Sequence, residues 1–144
     1  MTEIRPIRAT DASRLTGLLA QLGYPSDVDT VASRLVAILD TANQQLFVAI
    51  PSDGARIDGY IGVERRLTLL EDERVEITGL VVDAAARRSG IGRALMSAAE
   101  QWASQQGIRT IVVRSNVMRL ESHPFYEGIG YQRTKTSHTY IKAV

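Results

Sequence analysis

The chain has 144 residues, 44% of them hydrophobic and 23% charged, the balance of one ordinary soluble domain rather than a disordered or membrane-spanning chain. It has no cysteine, which excludes disulfides, thiolate metal sites and a cysteine acyl-enzyme, and its two histidines are too few for a metal centre. The net charge of +1 is uneven: residues 1–72 hold seven basic and ten acidic groups, residues 73–144 ten basic and six acidic, so the second half suits a polyanionic ligand and the first mildly favours a cationic one.

Glu3 to Arg8 reads as a first strand, apolar at Ile4 and Ile7. Asp11 suits an N-cap, opening a helix with Leu15, Leu18, Leu19 and Leu22 on one face and Gly23 as its stop. After the Tyr24-Pro25 loop, Asp27 or Asp29 caps a second helix carrying Val31, Leu35, Ile38 and Leu39. Leu46 to Ile50 reads as a strand, Pro51-Ser52-Asp53-Gly54 as a turn, and Ile57 to Leu67 as the next strand despite Gly59 and Gly62. Glu71-Asp72-Glu73 marks a loop before a strand that ends at Asp83. In the long helix that follows, Ile91, Ala94, Leu95, Ala98 and Trp102 line one face, and Gly107 stops it. Ile108 to Arg114 is strand-like. Pro124 is tolerated only in a first helical turn, so the next helix begins near Ser122 or His123. No repeat, linker or low-complexity tract interrupts the chain. The order predicts a single domain over 1–144, α/β (α+β), with helices and strands mixed around one sheet.

The chemistry concentrates between Val75 and Leu95. A strand runs into a polar turn, Arg87-Arg88-Ser89-Gly90-Ile91-Gly92, and a helix follows through Arg93 and Ala94. Glycine lets backbone approach a ligand closely. The free N–H groups of a first helical turn, the helix dipole and three arginines make this a pyrophosphate cradle. A Walker A loop is excluded, because no Lys-Ser/Thr pair follows a glycine. A dinucleotide fingerprint is excluded too: its third glycine would fall at Leu95 and its distant acid at Val112.

The remaining pattern, R-x-x-G-x-G at a helix start, resembles the acetyl-CoA-binding motif of the GNAT N-acetyltransferase superfamily. Ser115-Asn116-Val117-Met118-Arg119 and Ser122-His123-Pro124-Phe125-Tyr126-Glu127-Gly128-Ile129-Gly130-Tyr131 are similar to the family's closing segment, and Ser137 to Lys142 to a final strand of many small bacterial members. The resemblance is strongest from Glu76 to Tyr131. It implies a mixed, mostly antiparallel sheet flanked by about four helices and splayed at an acetyl-CoA slot. It also implies acetyl transfer from acetyl-CoA, as co-substrate and with no metal, to a primary amine of a small molecule or a protein. The alternative is a non-catalytic CoA-binding sensor or interaction module on the same fold.

Three needs of that reaction fall on named residues. Backbone groups of Arg88 to Arg93 would hold the pyrophosphate with help from arginine side chains. By the resemblance, Leu80, Val81 and Val82 pair with the pantetheine arm, the Val82 N–H faces the thioester oxygen, and Asn116 hydrogen-bonds the arm. A primary amine arrives protonated, since its pKa is about 10.4, and Glu76, eleven residues before Arg87, resembles the general-base glutamate of histone-type members. A carboxylate that only orients substrate or forms a salt bridge is the other reading of Glu76. Tyr126 resembles the phenol that protonates the leaving thiolate. Phe125 reads as core, and His123 as a solvent-facing residue outside the site. With no thiol available, the amine attacks directly in a ternary complex. No basic run with interleaved aromatics points to nucleic acid. The absence of a signal-peptide core or a bilayer-length apolar stretch points to the cytoplasm and to no membrane contact. The resemblance leaves a homodimer open.

Overall fold

The computed structural model describes residues 2–144. They divide into two units, residues 2–113 and Arg114–Val144.

In the first unit the apolar alternation makes an antiparallel meander. β1 (Glu3–Pro6), β2 (Gln44–Ile50), β3 (Gly59–Arg66) and β4 (Arg74–Val82) lie side by side in chain order. β5 (Ile111–Val113) joins the far edge parallel to β4. Helices cover both faces. α1 (Ala12–Leu22) and α2 (Val28–Leu39) bury Leu15, Leu18, Val31 and Leu35 against Leu46, Val48, Ile50 and Val81. α3 (Ile91–Gln105) buries Leu95, Met96, Ala99 and Trp102 and packs on β3 and β4, so Trp102 is a core residue as its stripe predicts. A methyl group on Gly59 would meet Leu95 and Ile91, which sets how closely α3 approaches the sheet.

The expected helix signals hold with one correction. Asp27 caps α2 by accepting from the Thr30 N–H at 2.7 Å, and Gly23 closes α1 in the left-handed region at φ 101°. Asp11 stands at the N-cap position of α1, yet its side chain makes no cap bond. Its carboxylate is fully buried and instead accepts from Arg5 at 2.9 and 3.0 Å, from Arg14 at 2.8 Å and from the Arg8 N–H at 2.8 Å. A buried carboxylate is stabilised more by two guanidinium groups than by one backbone N–H. Burial pushes the Asp11 pKa up, but the hydrogen bonds from Arg5 and the Arg8 N–H outweigh it and hold the group below its ordinary range. Asp11→Ala is therefore expected to cost about 3–5 kcal/mol, because it strands Arg5 without its partner. Urea unfolding at pH 7 reads that loss. The contribution is full above the ordinary Asp pKa of about 3.9 and fades as pH falls through the depressed native value.

The second unit holds α4 (Ser122–Gly128), which begins where Pro124 requires, and a turn at Gly130 with φ 97°. No residue of α4 is buried, so Phe125 is half-buried rather than core. The expected final strand over Ser137–Lys142 is not formed. Residues 132–144 take no helix or strand, and each is exposed. A strand exists only through hydrogen bonds to a neighbour, and among the described residues this segment has no strand beside it.

Candidate active site

The site in the first unit begins with a break in the sheet. Val75, Glu76 and Ile77 pair with Ile111, Val112 and Val113, and the β4–β5 ladder stops there. At the next residue β4 bulges: Gly62 faces Gly79 and Val63 faces Ile77, which leaves Thr78 as the extra residue. A bulge bends and twists its strand. From Thr78 to Val82 β4 stays paired to β3 on one side, while among the described residues no strand pairs with it on the other. At roughly 3.3 Å per residue this open edge is about 17 Å long. The Asp83 N–H turns toward β3 and donates to Asp58 O at 2.7 Å. Alternation along a strand then aims the N–H groups of Val82 and Leu80 at the open edge.

The edge leads to the basic turn. The Asp83 side chain accepts from the Ala85 N–H at 2.9 Å and caps a 3-10 turn over Ala84–Ala86. Gln21, in the last turn of α1, grips the same place: its amide oxygen accepts from the Ala84 N–H at 2.9 Å and its nitrogen donates to Asp83 at 3.2 Å. Arg88 then takes a left-handed conformation at φ 66°, uncommon for a residue with a Cβ, and Gly90 another at φ 82°. Ser89 Oγ donates to Ala86 O and ties the turn together. The first bond of α3 runs from the Ala94 N–H to Gly90 O at 3.0 Å, so the N–H groups of Ile91, Gly92 and Arg93 open the helix without an intrahelical acceptor. Arg87, Arg88, Ser89, Gly90 and Arg93 are exposed, and Ile91 is buried as the anchor of the turn. Space around Gly90 is open, so its glycine is required by φ and not by crowding.

Glu76 lies on the opposite sheet face from α3, directly across from Glu64. Arg66 donates to Glu76 Oε2 at 2.7 Å and stands 3.7 Å from Glu64. The Glu76 side chain is 12% exposed and that of Arg66 43%, so solvent reaches the pair from the arginine side. The hydrogen bond to Glu76 raises the Arg66 pKa further above its ordinary value. Glu76 is thus an ion-paired carboxylate on the sheet. On the same face the Tyr60 hydroxyl hangs over the bulge, 2.7 Å from where a Cβ on Gly79 would sit. Burial raises the Tyr60 pKa, with Tyr24 adding to the shift, so the phenol keeps its proton. Gly62 opposite leaves room for Thr78 Oγ1. Sequence reasoning missed Arg66, Tyr60 and Thr78. The one available signal was the recurrence of glycine at 59, 62 and 79, since glycine inside a strand pattern marks a bulge or a close approach.

In the second unit Asn116 forms an Asx turn: its Oδ1 accepts from the Met118 N–H at 2.9 Å, which leaves its Nδ2 as the free end of the amide. His123 Nε2 lies 3.1 Å from Asn116 O. Tyr126 meets Phe125 edge-on at 5.2 Å and Tyr131 at 6.3 Å. Burial pushes its phenol pKa up, and the Arg119 charge only partly opposes this.

A half-open strand ends at a basic helix N-terminus, and the family profile and curated relatives define the class as acyltransferase. The Acetyltransferase (GNAT) family profile matches residues 18–131. An uncharacterized N-acetyltransferase of Bacillus subtilis, YhdJ, is 27% identical over 109 residues, 76% of this chain and 75% of its own. The aminoglycoside N(6')-acetyltransferase type 1 of Stenotrophomonas maltophilia is 26% identical over 132 residues, 89% of this chain and 86% of its own. Among solved structures, aminoglycoside N-acetyltransferase AAC(6')-Iy in complex with CoA matches with a TM-score of 0.89 at 20% identity, over 100% of this chain and 96% of that one. The chain belongs to the Acetyltransferase (GNAT) family, with the mixed α/β fold of its structural neighbours, and is an N-acetyltransferase.

Proposed function

We propose that this enzyme moves the acetyl group of acetyl-CoA to a primary amine by direct attack in a ternary complex. The observation that carries the reading is the open β4 edge, which runs from the bulge at Thr78 into the N-terminus of α3 between Arg87, Arg88 and Arg93. In this reading the N–H groups of Ile91, Gly92 and Arg93 hold pyrophosphate oxygens, with Arg88, Ser89 and Gly90 shaping the turn and Ala94 closing its first helical bond. Leu80, Val81 and Val82 present backbone to the pantetheine arm, and the Nδ2 of Asn116 is its polar anchor. The Val82 N–H polarises the thioester carbonyl. Glu76 takes the proton of the incoming ammonium, directly or through water, and Tyr126 gives its proton to the departing sulfur.

The acceptor is a cationic amine. Glu64 and Glu76 stand side by side with one arginine between them, which leaves net negative charge on the sheet face that bears Glu76. One relative is named as an aminoglycoside N(6')-acetyltransferase, so aminoglycosides head the panel to be tried.

Gly90→Asp tests the cradle. The substitution forces a side chain onto φ 82° and sets a carboxylate at the helix N-terminus meant for phosphate. Affinity for CoA by calorimetry is expected to fall at least about tenfold, or 1.4 kcal/mol. Wild-type affinity in a variant with native circular dichroism rejects the cradle. A thiol-release assay with acetyl-CoA and a panel of amines tests the reaction itself; silence on all amines despite tight CoA binding favours a binding module.

A further inference from the structure

We propose that Gln21 is a positioning residue for CoA: from the last turn of α1 its side-chain amide sets the basic turn that opens α3. The proposal rests on the reading of that turn as the CoA cradle.

The two ends of the turn are fixed, by the Asp83 N–H on Asp58 O at 2.7 Å and by buried Ile91. Between them the turn's own bonds are local. The Ala86 N–H donates to Asp83 O at 2.9 Å, the Ala85 N–H to Asp83 Oδ1 at 2.9 Å, and Ser89 Oγ to Ala86 O. Such bonds shape a turn without fixing it against its surroundings. Yet Arg88 at φ 66° is a conformation that persists only where surrounding structure imposes it. Gln21 reaches the turn from 62 and 63 residues away. It extends from a rigid support, because α1 buries Leu15 and Leu18 and packs on β4, the strand that leads into the turn.

The residue type matters, because both ends of the amide are used. Its oxygen accepts from the Ala84 N–H at 2.9 Å and its nitrogen donates to Asp83 Oδ2 at 3.2 Å. A carboxamide offers acceptor and donor side by side. Glutamate would accept from Ala84 but face Asp83 with a second carboxylate, and lysine would satisfy Asp83 but leave Ala84 without an acceptor. Asp83 matters through its charge as well. It is the one acid between Glu76 and Glu100. Gln21 and the Ala85 N–H engage its two oxygens, so the carboxylate braces the turn instead of competing with phosphate for Arg87, Arg88 and Arg93.

Calorimetry with CoA needs no acceptor and reads this directly. Gln21→Glu removes the donor and sets two carboxylates together, and Asp83→Asn sets two amide nitrogens together. Each should raise the CoA dissociation constant at least about fivefold, the scale of one net hydrogen bond. Combining the two exchanges donor and acceptor: the new amide donates to the new carboxylate and still accepts from the Ala85 N–H. Affinity should then return to within about twofold of the unaltered protein, the signature of a coupled pair. A double variant no better than the singles overturns the proposal. So do single variants whose thermal midpoints fall in the free protein while CoA affinity holds, which is the pattern of a brace for stability alone. Absence of CoA binding in the unaltered protein overturns the cradle and this role together, whereas unaltered affinity in both single variants overturns this role alone.

Discussion

Tyr126→Phe should lower the rate constant of acetyl transfer by about 100- to 10,000-fold, the usual worth of a general acid. The change removes one oxygen and keeps the ring, so the edge-on contacts with Phe125 and Tyr131 survive. Burial raises the phenol pKa above its ordinary value of about 10, so the group carries its proton throughout the neutral range. A thiol has a pKa of about 8.5, so a phenol near or above 10 is a weaker acid, and transfer is driven only as the C–S bond breaks. Affinity for CoA should move by less than about 1.5 kcal/mol, the net value of one hydrogen bond. The rate defect should shrink with an acetyl donor whose leaving thiol is more acidic, because that thiolate needs less help. Single-turnover rates across donors measure this. Full activity in the variant would leave the proton to solvent or to Tyr60, whose buried phenol is also neutral. An equal defect on all donors would make Tyr126 a positioning residue.

The parts of this site legible in the sequence are those built from neighbours along the chain. Arg87 to Arg93 form one turn and one helix start, and glycine at 90 answers a local backbone demand. Helix faces were legible for the same reason: Leu95, Ala98 and Trp102 recur at the period of the helix itself. What stayed hidden depends on register between strands. Arg66 and Glu76 are ten residues apart across a loop, and only the β3–β4 pairing brings them to 2.7 Å. The bulge at Thr78 is likewise a property of two strands, and it decides where the open edge begins. Asp11 misled because Asp before an apolar helix is a good cap signal, whereas Arg5 and Arg14 compete for it from the strand before and the helix after. The 137–142 segment reads as strand from its β-branched and aromatic residues, yet it takes no strand, because pairing depends on a neighbour that composition does not specify.

Glu76→Gln should lower kcat/KM at neutral pH by about 100-fold or more and change how the rate depends on pH. Glutamine fills the same volume and still accepts from Arg66, so the sheet face should keep its shape. It has no charge and cannot take a proton. The variant must then wait for amine that arrives neutral, a fraction that grows tenfold per pH unit below the amine pKa of about 10.4. Its rate should climb with pH where the wild type has levelled, so the defect narrows toward pH 9 to 10. Arg66 provides the second half of the test. Its guanidinium favours the ionised carboxylate at 2.7 Å, so Arg66→Gln should move the acid limb of the wild-type profile to higher pH. A base acts through both changes: Glu76→Gln abolishes the acid limb and Arg66→Gln shifts it. If Glu76 only braces the strands, both variants lose stability and neither alters the shape of the profile. Thermal midpoints measured beside the pH–rate curves separate these outcomes. An unchanged limb in Arg66→Gln together with a Glu76→Gln curve parallel to wild type would hand the proton to water at the open edge of β4.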